Sequence, residues 1–166
     1  MPTPLLDRCR PHSVAEFRAA ALQRYADGLL LAAAGRRTAA IYLWGYVAEM
    51  LLKAGVFALL DGATAKTIPL KDITDAKLLA ADLGFKWAGN AHNLVGWAEL
   101  LVRLRSDLPG GAYPNPAFGA GVIARAARVY GLWRETLRYH KNVASAAEAH
   151  VVRAAVEWLV ATRNRL

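Results

Sequence analysis

The sequence predicts an all-α fold, an up-and-down four-helix bundle with additional short helices. Three observations carry this. The 166-residue chain contains 34 alanines and is 55% hydrophobic, yet it nearly lacks the Val/Ile/Thr-rich alternation of strands. Apolar residues recur at helical spacing in several long segments. Two Ser-x-x-Glu capping boxes, Ser13–Glu16 and Ser145–Glu148, mark helix starts. Short connections between helices favour antiparallel neighbours. The length suits one domain with a substantial core, here residues 13–166, preceded by a tail over 1–12.

The elements follow in order. The first helix starts at Ser13, and Leu22, Tyr25, Leu29 and Ala33 form its apolar stripe. Gly35-Arg36-Arg37 is the turn. The second helix spans about Thr38 to Leu60 and stops at Asp61-Gly62. Residues 63–74 form a polar connection containing Pro69, and a short helix covers about Asp75–Leu83. A loop holding Trp87 leads to a helix over Asn93–Leu104, opened by His92 or Asn93 as cap, with Leu94, Trp97, Leu101 and Leu104 on one stripe. The prolines and glycines of residues 107–116 break the chain into a loop. A long helix then covers about Phe118–Tyr139, His140–Ala144 turn, and the last helix runs from Ser145 towards the C-terminus.

The second helix holds the strangest charges. In Tyr42-Leu-Trp-Gly-Tyr-Val-Ala-Glu-Met-Leu-Leu-Lys53, one acid and one base interrupt an apolar run. Tyr42, Tyr46, Glu49 and Lys53 lie four, three and four residues apart, so they share one polar stripe. Glu49 and Lys53 stand in the favoured order for an ion pair one turn apart. The whole helix, Thr38–Leu60, is long enough to span a bilayer, but each central charge would cost about 2.5–3.5 kcal/mol there. A buried bundle helix is therefore expected, and no membrane association.

The net charge of +8 is uneven. Residues 1–37 carry six Arg against three acids, and residues 125–166 carry eight Lys/Arg against three acids, while the middle is balanced. Basic ends suit a polyanion such as RNA or nucleotide phosphate, or simply solvate the outer faces. Arg134, Arg138 and Lys141 share a face if the long helix persists, and Tyr139 and His140 lie beside them. Such a row can hold phosphate and offer a ring for stacking, or it can stabilise a helix C-terminus. The single cysteine, Cys9, excludes an internal disulfide and fits the cytoplasm. Cys9 and His12 form one isolated Cys-x-x-His pair, with no second pair to complete a zinc site. There is no Walker loop and no Gly-x-Ser-x-Gly elbow. The expectation is no metal and no cofactor.

Three segments in order resemble one family. Tyr46-Val-Ala-Glu-Met-Leu-Leu-Lys-Ala54 resembles the second-helix signature of HEPN (higher eukaryote and prokaryote nucleotide-binding) domains. His92-Asn93-Leu94 resembles the His-Asx-Leu that opens a later helix in many of them, and Trp133…Arg138-Tyr139 with a capped final helix resembles the C-terminal part of one HEPN-like group. The resemblance spans roughly residues 13–165. It implies a homodimeric helical bundle. Many members are metal-independent ribonucleases with an Arg-x4-6-His motif, in which Arg stabilises phosphate charge and His transfers protons. Others bind RNA or nucleotides, or partner a nucleotidyltransferase in toxin–antitoxin and defence systems.

Arg134 and His140 satisfy that spacing and are the candidate catalytic pair. Six residues apart, they project about 240° from one another on a straight helix. Glu135 follows the arginine where active members carry a polar residue such as Asn. The expected function is RNA or nucleotide binding through Arg134, Arg138, Tyr139 and Lys141. The alternatives are an endoribonuclease using Arg134 and His140, and a non-catalytic protein-interaction module.

Overall fold

A computed structural model describes residues 13–61, 68, 70–107, 113 and 115–166. They form six α-helices and no strands: α1 Val14–Ala33, α2 Arg37–Asp61, α3 Leu70–Asp82, α4 Leu94–Asp107, α5 Pro116–Leu132 and α6 Ala146–Thr162. Short 3-10 turns cover Glu135–Tyr139 and Arg163–Arg165. The predicted Cys9–His12 pair, the end of the second helix at Gly62 and most of the 107–116 loop lie outside the described residues.

Both predicted serine caps are made. Ser13 Oγ accepts the Glu16 N–H at 3.1 Å, and at Ser145 the full reciprocal box forms. Asn93, not His92, caps α4: its Oδ1 accepts the N–H groups of Val95 and Gly96. The short helix over 75–83 begins earlier, at Leu70, directly after Pro69 in the sequence, where a helix start tolerates proline nearby.

Helix α2 lies at the centre, touching α1, α4, α5 and α6. Helices α4–α5 and α5–α6 also pack together, so α2, α4, α5 and α6 close a ring, with α1 laid on the outside of α2. The shorter α4, rather than α1, thus completes the group of four. By length and apolarity α2 could cross a membrane; here most of it is buried as the core helix.

Three tryptophans lock this arrangement by lying on glycines. Trp44 covers Gly28 of α1, Trp87 covers Gly96 of α4, and Trp133 covers Gly45 of α2. The buried line of α1 is consequently Val14, Ala21 and Gly28, spaced seven apart, which lets α2 approach closely. The predicted stripe is only half-used: Tyr25 and Leu29 pack against the core, but Leu22 and Ala33 are exposed. The α4 stripe of Leu94, Trp97, Leu101 and Leu104 is wholly buried as expected.

The long helix predicted over residues 118–139, α5, is shorter than the sequence predicts. It ends at Leu132, where Trp133 adopts an extended conformation (φ −123°, ψ 140°). The turn swings the indole inward, fully buried, with Nε1 donating to the Tyr42 carbonyl at 3.0 Å. Burying that ring outweighs continuing the helix. Arg134, Arg138 and Lys141 therefore do not share a helical face.

Candidate functional site

The polar stripe of α2 is the spine of the site. Glu49 and Lys53 are both buried, and Lys53 Nζ donates to Glu49 Oε1 at 2.5 Å. The other carboxylate oxygen, Oε2, lies 2.9 Å from Nδ1 of His92. An ionised carboxylate only accepts, so Nδ1 carries the proton. Lys53 also stands over the Trp97 ring, 5.1 Å from its centroid. The buried charges are thus compensated on every side, which burial demands.

His92 reaches Glu49 because its loop is pinned. Asn90 Oδ1 accepts the His92 backbone N–H at 3.0 Å, and Asn93 donates to the Ala88 carbonyl at 2.7 Å. The Glu49 hydrogen bond raises the His92 pKa above its ordinary value, against the opposing pull of partial burial. The Glu135 carboxylate accepts from Asn90 Nδ2 at 2.8 Å. Its own backbone N–H and then this bond hold its pKa below the usual carboxylate range.

An aromatic row leads along α2 away from this cluster. Tyr46 meets His92 edge-on, with ring centroids 6.2 Å apart, and meets Trp133 at 5.2 Å and Tyr42 at 5.1 Å. Burial, together with a hydrogen bond that the Tyr46 hydroxyl donates to Tyr42, pushes the Tyr46 hydroxyl up to about 12. Tyr42 in turn lines a cavity of about 290 Å³ with Arg36, Arg138, His140, Lys141 and Asn142. Among the described residues, every charged or titratable group lining that cavity, apart from Tyr42, is a base.

Its walls come from opposite ends of the chain and are stitched together. Asn142 Oδ1 accepts the Thr38 N–H at 3.1 Å while its Nδ2 donates to the Gly35 carbonyl at 2.9 Å. Thr38, buried, accepts the N–H groups of Val143 and Ala144 on one hydroxyl at 2.8 and 2.9 Å. Thr38→Val leaves both donors unpaired, so urea denaturation should show a loss of about 2 kcal/mol. An unchanged midpoint would mean that water replaces the hydroxyl freely.

The candidate residues at the C-terminal end part company. Arg138, His140 and Lys141 line the cavity. Tyr139 is exposed, with the Arg138 guanidinium 4.7 Å from its ring centroid. Arg134 folds back on α5: its guanidinium sits 3.7 Å from the Tyr130 ring centroid and donates to the carbonyls of Tyr130 and Trp133. It is thus a cation closing a helix C-terminus. Within one chain Arg134 and His140 are not brought into the same cavity. Arg36 and Asn142 are cavity residues that sequence reasoning missed. Nothing local marks them, since their partners lie about a hundred positions away.

Among the described residues, no group of three His, Cys, Asp or Glu is placed to hold a metal ion. Fold and site together define an all-α bundle whose central helix joins a buried ion cluster to a basic surface cavity. No family model, curated protein or solved structure matches the chain.

Proposed function

We propose that this protein is a cytoplasmic, homodimeric HEPN-like domain that binds RNA or a nucleotide through the basic cavity. The observation that carries the reading is the convergence of Arg36, Arg138, Lys141 and His140 on one cavity that no acid lines among the described residues. Unopposed cations in a concave site attract phosphate, and guanidinium groups bind it in two-point fashion. Tyr42 in the wall and exposed Tyr139 beside it offer rings for a base. Dimerisation, a nucleotidyltransferase partner and a toxin–antitoxin or defence setting rest on the HEPN resemblance. The ribonuclease alternative asks Arg134 to leave the Tyr130 ring and meet a His140. The interaction-module alternative asks for no phosphate affinity at all.

Fluorescence anisotropy with a labelled oligoribonucleotide at low salt tests the proposal. Arg138→Ala/Lys141→Ala should weaken binding by at least about tenfold and flatten its salt dependence. Arg134→Ala should leave affinity close to wild type. Equal affinity of the double variant and wild type would remove the cavity from the binding surface.

A further inference from the structure

The turn between α1 and α2 carries two consecutive arginines, and they diverge. Arg36 lines the basic cavity already described. Arg37, the first residue of α2, lines a second groove of about 180 Å³ with His150 and Arg153 of α6, over Trp44. This groove too has no acidic lining residue among the described residues.

The neighbouring acids leave its charge largely unopposed. The Glu148 carboxylate is occupied by the Ser145 N–H and hydroxyl, each at 2.7 Å. Asp27 is paired with Arg24 at 2.8 Å. Glu157 approaches to 3.9 Å from Arg153 Nε, and both of those side chains are more than half exposed. An exposed pair at that distance contributes little. Arg153 also hydrogen-bonds the Tyr25 side chain, but no acid among the described lining residues offsets Arg37, Arg153 and His150. An anion placed there would remove the repulsion. The positive end of α2, a helix of 25 residues, lies between the two cavities and adds to the same field.

We propose that the Arg37–His150–Arg153 groove is a second phosphate subsite, so that the ligand is a single-stranded polynucleotide whose backbone crosses the start of α2. The assignment rests on the phosphate reading of the first cavity. The phosphates of a nucleoside triphosphate are joined through single bridging oxygens and suit one cavity. A strand spaces its phosphates by a sugar, which allows it to straddle the Arg36–Arg37 backbone. The recognised chemistry is the phosphodiester chain, common to RNA and single-stranded DNA.

The test compares three probes on the full chain: uridine monophosphate by calorimetry, and labelled ten-nucleotide oligouridylate and oligothymidylate by anisotropy across a salt series. Arg37→Ala/Arg153→Ala should keep wild-type affinity for the mononucleotide, which also reports an intact fold. Its oligonucleotide affinity should fall by about tenfold or more. The logarithmic salt slope should drop by about 0.7, the value for one phosphate of a single strand no longer neutralised. Equal losses for the two oligomers assign the subsite to the phosphodiester chain alone; a larger loss for oligouridylate adds the ribose hydroxyl. Wild-type oligomer affinity and slope in this variant, with the mononucleotide still bound, would overturn the second subsite and leave the first cavity standing. If wild-type protein binds neither mononucleotide nor oligomer, the first cavity fails and the second subsite with it.

Discussion

Gly45→Ala lowers the unfolding free energy by about 2–3 kcal/mol, although alanine is the better helix former. A Cβ at this position would sit 2.1–2.2 Å from three atoms of the Trp133 ring, well inside van der Waals contact. The ring cannot retreat. It is fully buried, tethered through Nε1 to the Tyr42 carbonyl, and packed edge-on against Tyr46. The added methyl therefore displaces Trp133, and with it the 3-10 turn that follows. That turn leads directly into Arg138–Asn142, so oligonucleotide affinity should fall together with stability. Gly131→Ala is the control, since a Cβ there meets nothing within 4 Å. It should be neutral or stabilising by up to about 1 kcal/mol, because it replaces glycine within α5. Urea denaturation followed by tryptophan fluorescence measures both variants. Equal midpoints for Gly45→Ala and wild type would show that the indole does not occupy this slot.

Glu49→Ala costs about 3–5 kcal/mol, because it strands the Lys53 ammonium in the core with its counter-charge gone. The pair is worth less than that figure in net terms; most of the loss is the penalty of the uncompensated lysine. A gentler substitution reads the histidine. In the wild-type protein the Glu49 hydrogen bond raises the His92 pKa above its ordinary 6.5. The folded state then binds the proton more tightly than the unfolded chain. This contribution to stability is complete below the unfolded value and disappears as pH rises through the folded one. In Glu49→Gln the charged acceptor is gone and that window flattens. Removing the counter-charge of Lys53 leaves an offset at every pH, and the gap between the two denaturation midpoints should narrow as pH rises through the neutral range and widen at low pH. A pH-independent gap between the two proteins would rule out the Glu49–His92 linkage. His92 is about one-third exposed, so solvent screens the effect.

Much of this architecture was legible in the chain. The Ser13 and Ser145 caps, the four-residue α4 stripe and the shared face of Tyr42, Tyr46, Glu49 and Lys53 all depend on spacings within one helix. Periodicity reveals such spacings directly. The same logic failed at α1, where Leu22, Tyr25, Leu29 and Ala33 dominate the pattern but the buried line is Val14, Ala21 and Gly28. Small residues carry little hydrophobic signal; they matter only once Trp44 is known to lie on Gly28. It failed again at α5. Gly119, Gly121 and Gly131 apart, residues 118–139 read as continuous helix, and only the slot above Gly45 explains the reversal at Trp133.

The site divides along the same line. The sequence by itself determined the helical class, the polar stripe on a central apolar helix, and the basic character of the two ends of the chain. Tertiary structure decided that those ends meet: Arg36 joins Arg138 and Lys141 around one cavity, Arg37 joins His150 and Arg153 around another, and His92 closes on Glu49. It also decided that Arg134 turns away. The reason is physical. Helix formation and amphipathicity are written in neighbours three and four positions apart, whereas these side chains come together from 43 to about a hundred positions apart. They meet only because tryptophans settle on glycines and bring α2 against the segment after α5.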